Sequence, residues 1–459
     1  MTVRSRTLIS FALMAGLLLA VALGQSWSVA LAIFNLCLIS AVMALGVNIQ
    51  WGYAGLFNVG IMGFAALGGV SAVLVSKAPV VEAWSVGGGG LFVSFVCVAL
   101  TITAAIFTYR KLHPGRKRAL YISLIIIIGY FVTRYVADPA IGAIESVDAA
   151  RTGYLGGMGL PIVFSWIVGG LFAAGAAWIV GKVALGLRSD YLAIATLGIS
   201  EIIIAILKNE DWLTRGVKNV SGLPRPVPYE IELQHSDWFL RLVERLNSDM
   251  LSTLTSTDKA DALQKLVIEY SGIFVKLCYA GLFASVLIVI LILSAKALNS
   301  PWGRMMRAIR DNEVSASAMG KDITARHLQV FVLGSAVVGV AGAMLTTLDG
   351  QFTPGTYNPL RFTFLIWVMV IVGGSGNNLG AVLGGFVIWF FWIEAEPMGL
   401  WLVDALTSGF GDTSFIRTHM MENAQHMRLF VMGLVLLLVM RFSPGGILPE
   451  VIRRPKKNV

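Results

Sequence analysis

The sequence predicts an all-α polytopic membrane protein with about 10–12 transmembrane helices, some of them short or broken. Three observations predict it. Apolar residues make up 56% of the 459 residues and charged residues only 13%, against about 25% charged in a soluble domain. The apolar residues gather in continuous runs long enough to cross a bilayer, without the alternation of a membrane β-barrel. Basic residues concentrate in every second inter-run segment, which is the signature of a fixed orientation.

Candidate spans lie near 8–24, 28–48, 54–76, 91–109, 119–136, 161–181, 191–207, 272–296, 328–348, 362–375, 379–396 and 428–441. The first follows Arg4 and Arg6 and imitates a secretory signal, with Ala22-Leu23-Gly24 as a passable cleavage site. Further apolar runs follow at once, so it reads as a retained helix. The entry to the third span is rich in glycine and asparagine: Asn48, Gly52, Gly55, Asn58, Gly60, then Gly63, Gly68 and Gly69. Small residues let membrane helices approach closely. They also allow broken helices whose backbone lines a cavity. Asn48 and Asn58 are candidates for hydrogen bonds between helices. The basic cluster at 109–118 reads as a topology anchor in contact with lipid phosphates.

The seventh span carries Thr196, Gly198 and, at mid-span, Glu201. A carboxylate at membrane depth is costly and has to face protein or water. Two readings stay open: an ion or proton carrier, or a structural group bonded to Thr196, Ser200 or a partner helix. Either way it is expected to have a hydrogen-bond partner and no lipid contact. The segment 208–271 mixes both charge signs and holds a possible amphipathic helix, Trp238 to Leu246. Gly339 and Gly342 punctuate the ninth span. Gly373, Gly374, Gly376, Gly380, Gly384 and Gly385 surround the turn between the tenth and eleventh.

Between the eighth and ninth spans lies the most charge-dense stretch of the second half, 300–320. Ser300 suits a helix N-cap and Pro301 the first helical position. Trp302, Met305 or Met306, Ile309, Ala316 and Met319 recur with helical spacing along one face. Arg304, Arg307 and Asp311 fall on another, with Arg307 and Asp311 placed to pair. Gly320 suits the C-terminal cap. The pattern is one amphipathic helix, lying either on lipid or in a partner's groove.

With the N-terminus inside, the inner segments hold Arg4 and Arg6; 110–118; Lys182 and Arg188; the 297–327 loop; and Arg453, Arg454, Lys456 and Lys457. The outer short loops hold few basic residues, such as Lys77, Arg151 and Arg417. Both termini are therefore expected in the cytoplasm, and the long 208–271 segment outside. Membrane orientation, rather than nucleic acid, accounts for the net charge of +9. The three cysteines lie in separate apolar runs and the five histidines show no metal spacing. No set of acid, base or metal ligands converges as an enzyme would need. No P-loop is present, so ATP, if it drives this chain, binds elsewhere.

Several motifs occur in one order. They are Asn48, Gly52, Gly55, Gly60, Phe64 and Gly68; Tyr191-Leu-Ala-Ile-Ala-Thr-Leu-Gly198 with Glu201; Gly303 to Glu313 followed by Ala316, Met319 and Gly320; Ser335-Ala336 through Gly342-Ala343; Phe352-Thr-Pro354 with Tyr357; Val372-Gly-Gly-Ser-Gly376 with Gly380 and Gly384; and Ser443-Pro-Gly-Gly-Ile-Leu-Pro449. Together they resemble the membrane permeases of branched-chain amino-acid ABC importers, in particular the subunit type designated M. One segment departs: Leu213 to Asn219 puts Arg215 and Asn219 where the family often has TGGxxG, before Ser221-Gly-Leu-Pro-Arg-Pro226 resumes the pattern.

The resemblance implies the ABC importer permease fold as a single transmembrane domain over 1–459. It implies a periplasmic loop at 208–271 and a cytoplasmic coupling helix at 299–322 in the bacterial inner membrane. It implies a second homologous permease, two cytoplasmic ATPases and a periplasmic binding protein as partners, within membrane lipid. No cofactor belongs to this chain; ATP and Mg are bound by the ATPases. Branched-chain or related small amino acids are the implied cargo, with urea and short amides as an alternative. Coupling would fall to Gly303, Arg304, Arg307, Arg310, Glu313, Ala316 and Gly320. The path and its helix packing would fall to Asn48, Gly52, Gly55, Asn58, Gly60, Thr196, Gly198, Glu201, Gly373, Gly374 and Gly376, which are expected to converge inside the subunit or on the second permease. The competing class is an ion-coupled secondary transporter or channel using Glu201; a scaffold or membrane enzyme is a third.

Overall fold

The computed structural model describes residues 3–148, 152–253, 256–408, 414–423 and 426–450. The first half holds α1 (Val3–Gly24), α2 (Trp27–Ala54), α3 (Ile61–Ser76), α4 (Val81–Lys111), α5 (Arg116–Ser146), α6 (Val163–Ala184) and α7 (Ser189–Asn209). Four short helices follow: α8 (Asp211–Thr214), α9 (Glu230–Gln234), α10 (Asp237–Leu246) and α11 (Ser248–Ser252). The second half holds α12 (Ser256–Asn299), α13 (Pro301–Asp311), α14 (Glu313–Ala318), α15 (Ile323–Asp349), α16 (Pro359–Gly373), α17 (Asn378–Thr407), α18 (Phe415–Asn423) and α19 (Met427–Phe442). Two-residue strands, β1 (Val220–Ser221) and β2 (Gln351–Phe352), pair antiparallel.

Among the described residues nine helices are long and apolar enough to cross a membrane, or ten if α18 and α19, bent by 67° at their junction, count as one span. The shorter apolar helices α3 and α16 have 16 and 15 residues. A helix is thus found in each run picked out by length, and the chain is an all-α polytopic membrane protein. The third run is corrected at its start: helix begins only at Ile61, because 55–60 is extended or turned. At about 1.5 Å per residue α3 is shorter than the bilayer's apolar core. Something other than helix has to satisfy the backbone that completes the crossing.

Helices α2 and α15 form the centre. In α2, 20 residues are buried, including Asn35, Asn48 and Gln50. Helix α15 packs against α2, α3 and α6, and α17 packs against α2, α16 and α19. Contacts in lipid rest on close packing rather than on exclusion of water. The tightest lies between α3 and α15, where a Cβ built on Gly68 would stand 1.8 Å from the Gly339 carbonyl oxygen. Helices α4 and α5 instead pack chiefly on each other. Phe92, Phe131 and Tyr135 on this pair are exposed.

The two ends of the bundle differ. At one end Arg6 donates to Ser443 Oγ (3.2 Å), and residues 55–57, 185–189 and 313–327 contribute to a cavity of about 760 Å³. At the other end Lys77 Nζ donates to the Ser221 and Gly222 carbonyls (2.9 and 3.0 Å), and Leu223 N–H to the Gly350 carbonyl. The segment 208–271 therefore docks, through β1 and β2, on the loop that follows α15. The amphipathic helix expected there is α10, which buries Phe239 and Val243. From residue 256 onward the segment is not loop but the start of α12, a helix of 44 residues. Arg151, Arg453, Arg454, Lys456 and Lys457 lie outside the described residues.

Gly68→Leu is expected to lower the melting temperature sharply or prevent monodisperse purification, because the introduced side chain has to force two backbones apart. Gly198→Leu, where a Cβ meets nothing within 4 Å, is expected to leave both unchanged. Size-exclusion profiles and melting curves of the two variants in the same detergent check this.

Candidate functional site

The break after α2 organises the site. Gly55 takes φ +70°, a left-handed conformation that ends the helix. Its N–H returns to the Trp51 carbonyl, and that of Leu56 to Gln50 (2.9 and 3.0 Å). The extended residues that follow are satisfied by side chains. Asn58 Oδ1 accepts from Gly60 N–H (2.8 Å) and Thr196 Oγ1 from Val59 N–H (3.0 Å). The Asn58 carbonyl accepts from Trp367 Nε1 (3.1 Å). Asn58 Nδ2 donates to Gln50 Oε1 (2.9 Å), and Gln50 Nε2 donates to the Phe331 carbonyl and Ser335 Oγ (2.9 and 3.0 Å). Trp51, Phe57 and Trp367 pack edge-on around the break, with ring centroids 4.6–5.5 Å apart.

A second polar cluster joins α2 to the turn between α16 and α17. Asn48 Nδ2 donates to Asn378 Oδ1 (3.1 Å), and Asn48 Oδ1 accepts from Gly376 N–H (2.9 Å). A Cβ on Gly52 would stand 2.5 Å from the Gly376 nitrogen. Gly374 and Gly376 both take positive φ, +118° and +79°. The C-terminal stretch closes over this turn: Ile447 and Leu448 donate N–H to the Val372 and Gly373 carbonyls (both 2.8 Å). The 443–449 and 372–376 motifs are thus one site.

Arg310 ties the polar helix to both clusters. Its Nη1 donates to the Gly52 carbonyl at the C-terminal end of α2 and pairs with Glu450 Oε2 at 2.9 Å. Its Nε pairs with Asp311 Oδ1 at 3.1 Å. A cation also suits a helix C-terminus electrostatically. Burial disfavours the charge, but Glu450 and then Asp311 outweigh it and hold the Arg310 pKa above its ordinary value.

The stretch 300–320 is not one helix. It divides at Asn312, which is extended and caps α14 by accepting from Ser315 N–H (2.9 Å). The apolar face of α13 is buried through Gly303, Met306 and Ile309. It does not continue: α14 buries nothing, and Val314 and Met319 are each 79% exposed. Ala316 is half-buried and Gly320, at φ +73°, ends the turn. Ser300 occupies the N-cap, yet its hydroxyl donates back to the Ala297 carbonyl. The expected Arg307–Asp311 pair is absent among the described residues. Arg307 and Arg304 instead donate to the carbonyls of Leu298 and Asn299 (both 3.3 Å), because the tight α12–α13 corner turns those oxygens toward them. Glu313 Oε1 lies 3.8 Å from His327 Nε2.

Glu201 finds no neighbour of the expected kind within this chain. It is exposed on the surface of α7 and, among the described residues, has no hydrogen-bond partner. The reason is angular. Helix α7 packs through Thr196, Ser200 and Ile204, and Glu201 lies roughly 140° around the helix from Thr196. Gly198 shares its open side. The structure therefore brings Asn48, Gly52, Gly55, Asn58, Gly60, Thr196, Gly373, Gly374 and Gly376 together and leaves Gly198 and Glu201 out. Gln50, Trp367, Asn378 and Glu450 belong to the site but were not singled out from the sequence. The one usable signal was a glutamine inside an apolar run.

Residues 29–440 match the family model described as the branched-chain amino acid transport system, permease component. The chain belongs to this permease family. It is 24% identical over 283 residues to the high-affinity branched-chain amino acid transport system permease protein LivM of Escherichia coli (strain K12), covering 61% of this chain and 56% of that protein. The Salmonella typhimurium LivM protein matches similarly, at 25% over 281 residues and again 56% of its length, so the chain spans little more than half of these relatives. The probable LivM permease of Methanocaldococcus jannaschii is 23% identical over 301 residues, 65% of this chain and 71% of that protein. The probable LivH permease of the same archaeon is 31% identical over 132 residues, 28% of this chain and 40% of that protein. No solved structure matches the chain.

A double-mutant cycle on Arg310→Ala and Glu450→Ala is expected to give a coupling energy of about 0.5–3 kcal/mol, since both side chains are less than a quarter exposed. Denaturant unfolding of the four proteins in one detergent measures it. A coupling of zero would show that the α13 anchor lies elsewhere.

Proposed function

We propose that the chain is a permease subunit of an ABC importer that carries branched-chain or related small amino acids across the bacterial inner membrane. The observation that carries this reading is the family match over 29–440; the names of the relatives give the cargo class. The second permease of the pair is a homologue, as the partial likeness to a LivH protein suggests. Two ATPases bind ATP and Mg on the cytoplasmic side, and a periplasmic protein delivers the cargo.

In this reading the end that holds Arg6, α13, α14 and Glu450 is cytoplasmic. The motifs support a lever. Helix α14 offers Val314 and Met319 to an ATPase groove. Helix α13, which meets it at the extended Asn312, is pinned by Arg310 to the last turn of α2. Displacement of α14 then pulls on the 55–60 break and on the glycine turn at 373–376. Such coupling does work only if the ATPases bind the two positions of α14 with different affinity. Asn58 and Gln50 are the groups whose bonds change as the path opens.

ATP-dependent leucine uptake by the complete transporter in proteoliposomes is the test; uptake driven by an ion gradient in the absence of ATP would overturn the reading. Val314→Glu with Met319→Glu is expected to cut ATP-driven uptake roughly tenfold or more while the chain still inserts. Cysteine labels at Lys117 and Asp258 should react from opposite sides of the membrane. Labelling of both from one side would overturn the orientation.

A further inference from the structure

A cavity of about 310 Å³ is lined by α2, α3, α15, α16, α17 and α19. It lies toward the end of the bundle that carries the docked 208–271 segment, well away from the Arg310 cluster. Its size is at the low end of the roughly 300–1,000 Å³ typical of small-molecule sites. Ile39, Met43, Met62, Leu365 and Met369 form an apolar wall. Charged and polar groups also line it: Asp349 at the end of α15 and Arg361 on α16, both exposed, with Trp389 on α17 and Arg428 on α19.

The bonding of these groups is incomplete. Trp389 Nε1 and Arg428 Nε are buried and have no hydrogen-bond partner. Buried donors are nearly always satisfied, and leaving one bare is costly. Arg428 is only partly engaged, through Nη2 to Glu396 Oε2 at 2.7 Å. The Arg361 guanidinium rests on rings, 4.8 Å from the Trp392 centroid and 5.6 Å from that of Phe362. The Arg428 guanidinium lies 5.3 Å from the same Trp392 ring. No carboxylate among the described residues pairs with Arg361, and no cation pairs with Asp349. The formal charges of Arg361, Arg428, Asp349 and Glu396 cancel.

These facts narrow the ligand. An uncharged apolar molecule would leave the bare donors bare. A simple anion would satisfy them but face Asp349. A molecule with a carboxylate at one end, an ammonium beside it and an apolar tail meets every group. We infer that this cavity is a binding site for one free α-amino acid with an aliphatic side chain. Its carboxylate is held by Arg361, Trp389 Nε1 and Arg428 Nε, its ammonium by Asp349, and its side chain by the wall around Met43. The carbonyl end of α15, next to Asp349, adds to the field that favours the ammonium. This rests on the permease reading for its biological sense, and it adds that selection of cargo is repeated inside the membrane subunit.

Binding of radiolabelled leucine to the full chain tests it, in lipid nanodiscs with its co-purified subunits and without any binding protein. Saturable binding near one per chain is expected. 4-Methylpentanoate, which lacks the ammonium, and leucinamide, which lacks the carboxylate, should each compete roughly tenfold or more less well than leucine. Asp349→Asn and Arg361→Gln should each weaken leucine binding by a similar factor, and Met43→Trp should abolish it at an unchanged melting temperature. Absence of saturable binding in the wild-type chain, equal competition by the two analogues, or unchanged affinity in both charge variants would overturn the site. ATP-driven uptake by the complete transporter is measured alongside. Uptake that is intact while the chain binds no leucine refutes the site and leaves the permease reading standing. Leucine binding lost in the two charge variants, with no ATP-driven uptake in the wild type, supports the site and refutes that reading.

Discussion

A polypeptide that leaves the helical path inside a membrane has to find partners for its backbone, and here that constraint falls on 55–60. Asn58 and Thr196 meet the N–H groups of Val59 and Gly60. Gln50 then links Asn58 to α15. Through these few bonds the position of the break fixes α2, α7, α15 and α16 relative to one another. An all-apolar sequence could not hold it, because each bare backbone group at this depth costs several kcal/mol.

The glycines follow from the same constraint. Where α3 meets α15 the backbones touch at Gly68 and Gly339, which places the break against the packed centre rather than against lipid. The turn at 373–376 repeats the device near the end of the bundle, with Asn48 and the 446–448 stretch as the partners of its backbone. Arg310 connects the two. One guanidinium thus touches a helix end and a carboxylate from the last part of the chain, and it restrains α13 at once against both.

The spans were legible because a run of apolar residues is a one-dimensional signal, and length alone decides it. The glycine and asparagine positions were legible for a related reason: at membrane depth a polar or small residue already implies a protein neighbour. Glu201 shows where that inference stops. The neighbour it implies can lie in this chain or in a partner helix, and here α7 turns the carboxylate away from this chain's own packed side. The division of 300–320 at Asn312 was hidden because a capping asparagine and a helical one look alike in sequence. Glu450 and Trp389 were hidden too, since their roles depend on other segments that the fold brings beside them. The cavity beside Met43 draws on six helices, and no spacing rule could have assembled it.

The contacts of 443–450 carry an implication for how the protein is made. Arg6, Arg310 and the carbonyls of Val372 and Gly373 all emerge from the ribosome before Ser443, Ile447, Leu448 and Glu450 exist to meet them. Until then Arg310 holds only the Gly52 carbonyl and Asp311, and the Val372 and Gly373 carbonyls lack these two partners. A chain that stops before Ser443 therefore inserts its spans without the contacts that join α1, α13 and the 372–376 turn at this end of the bundle.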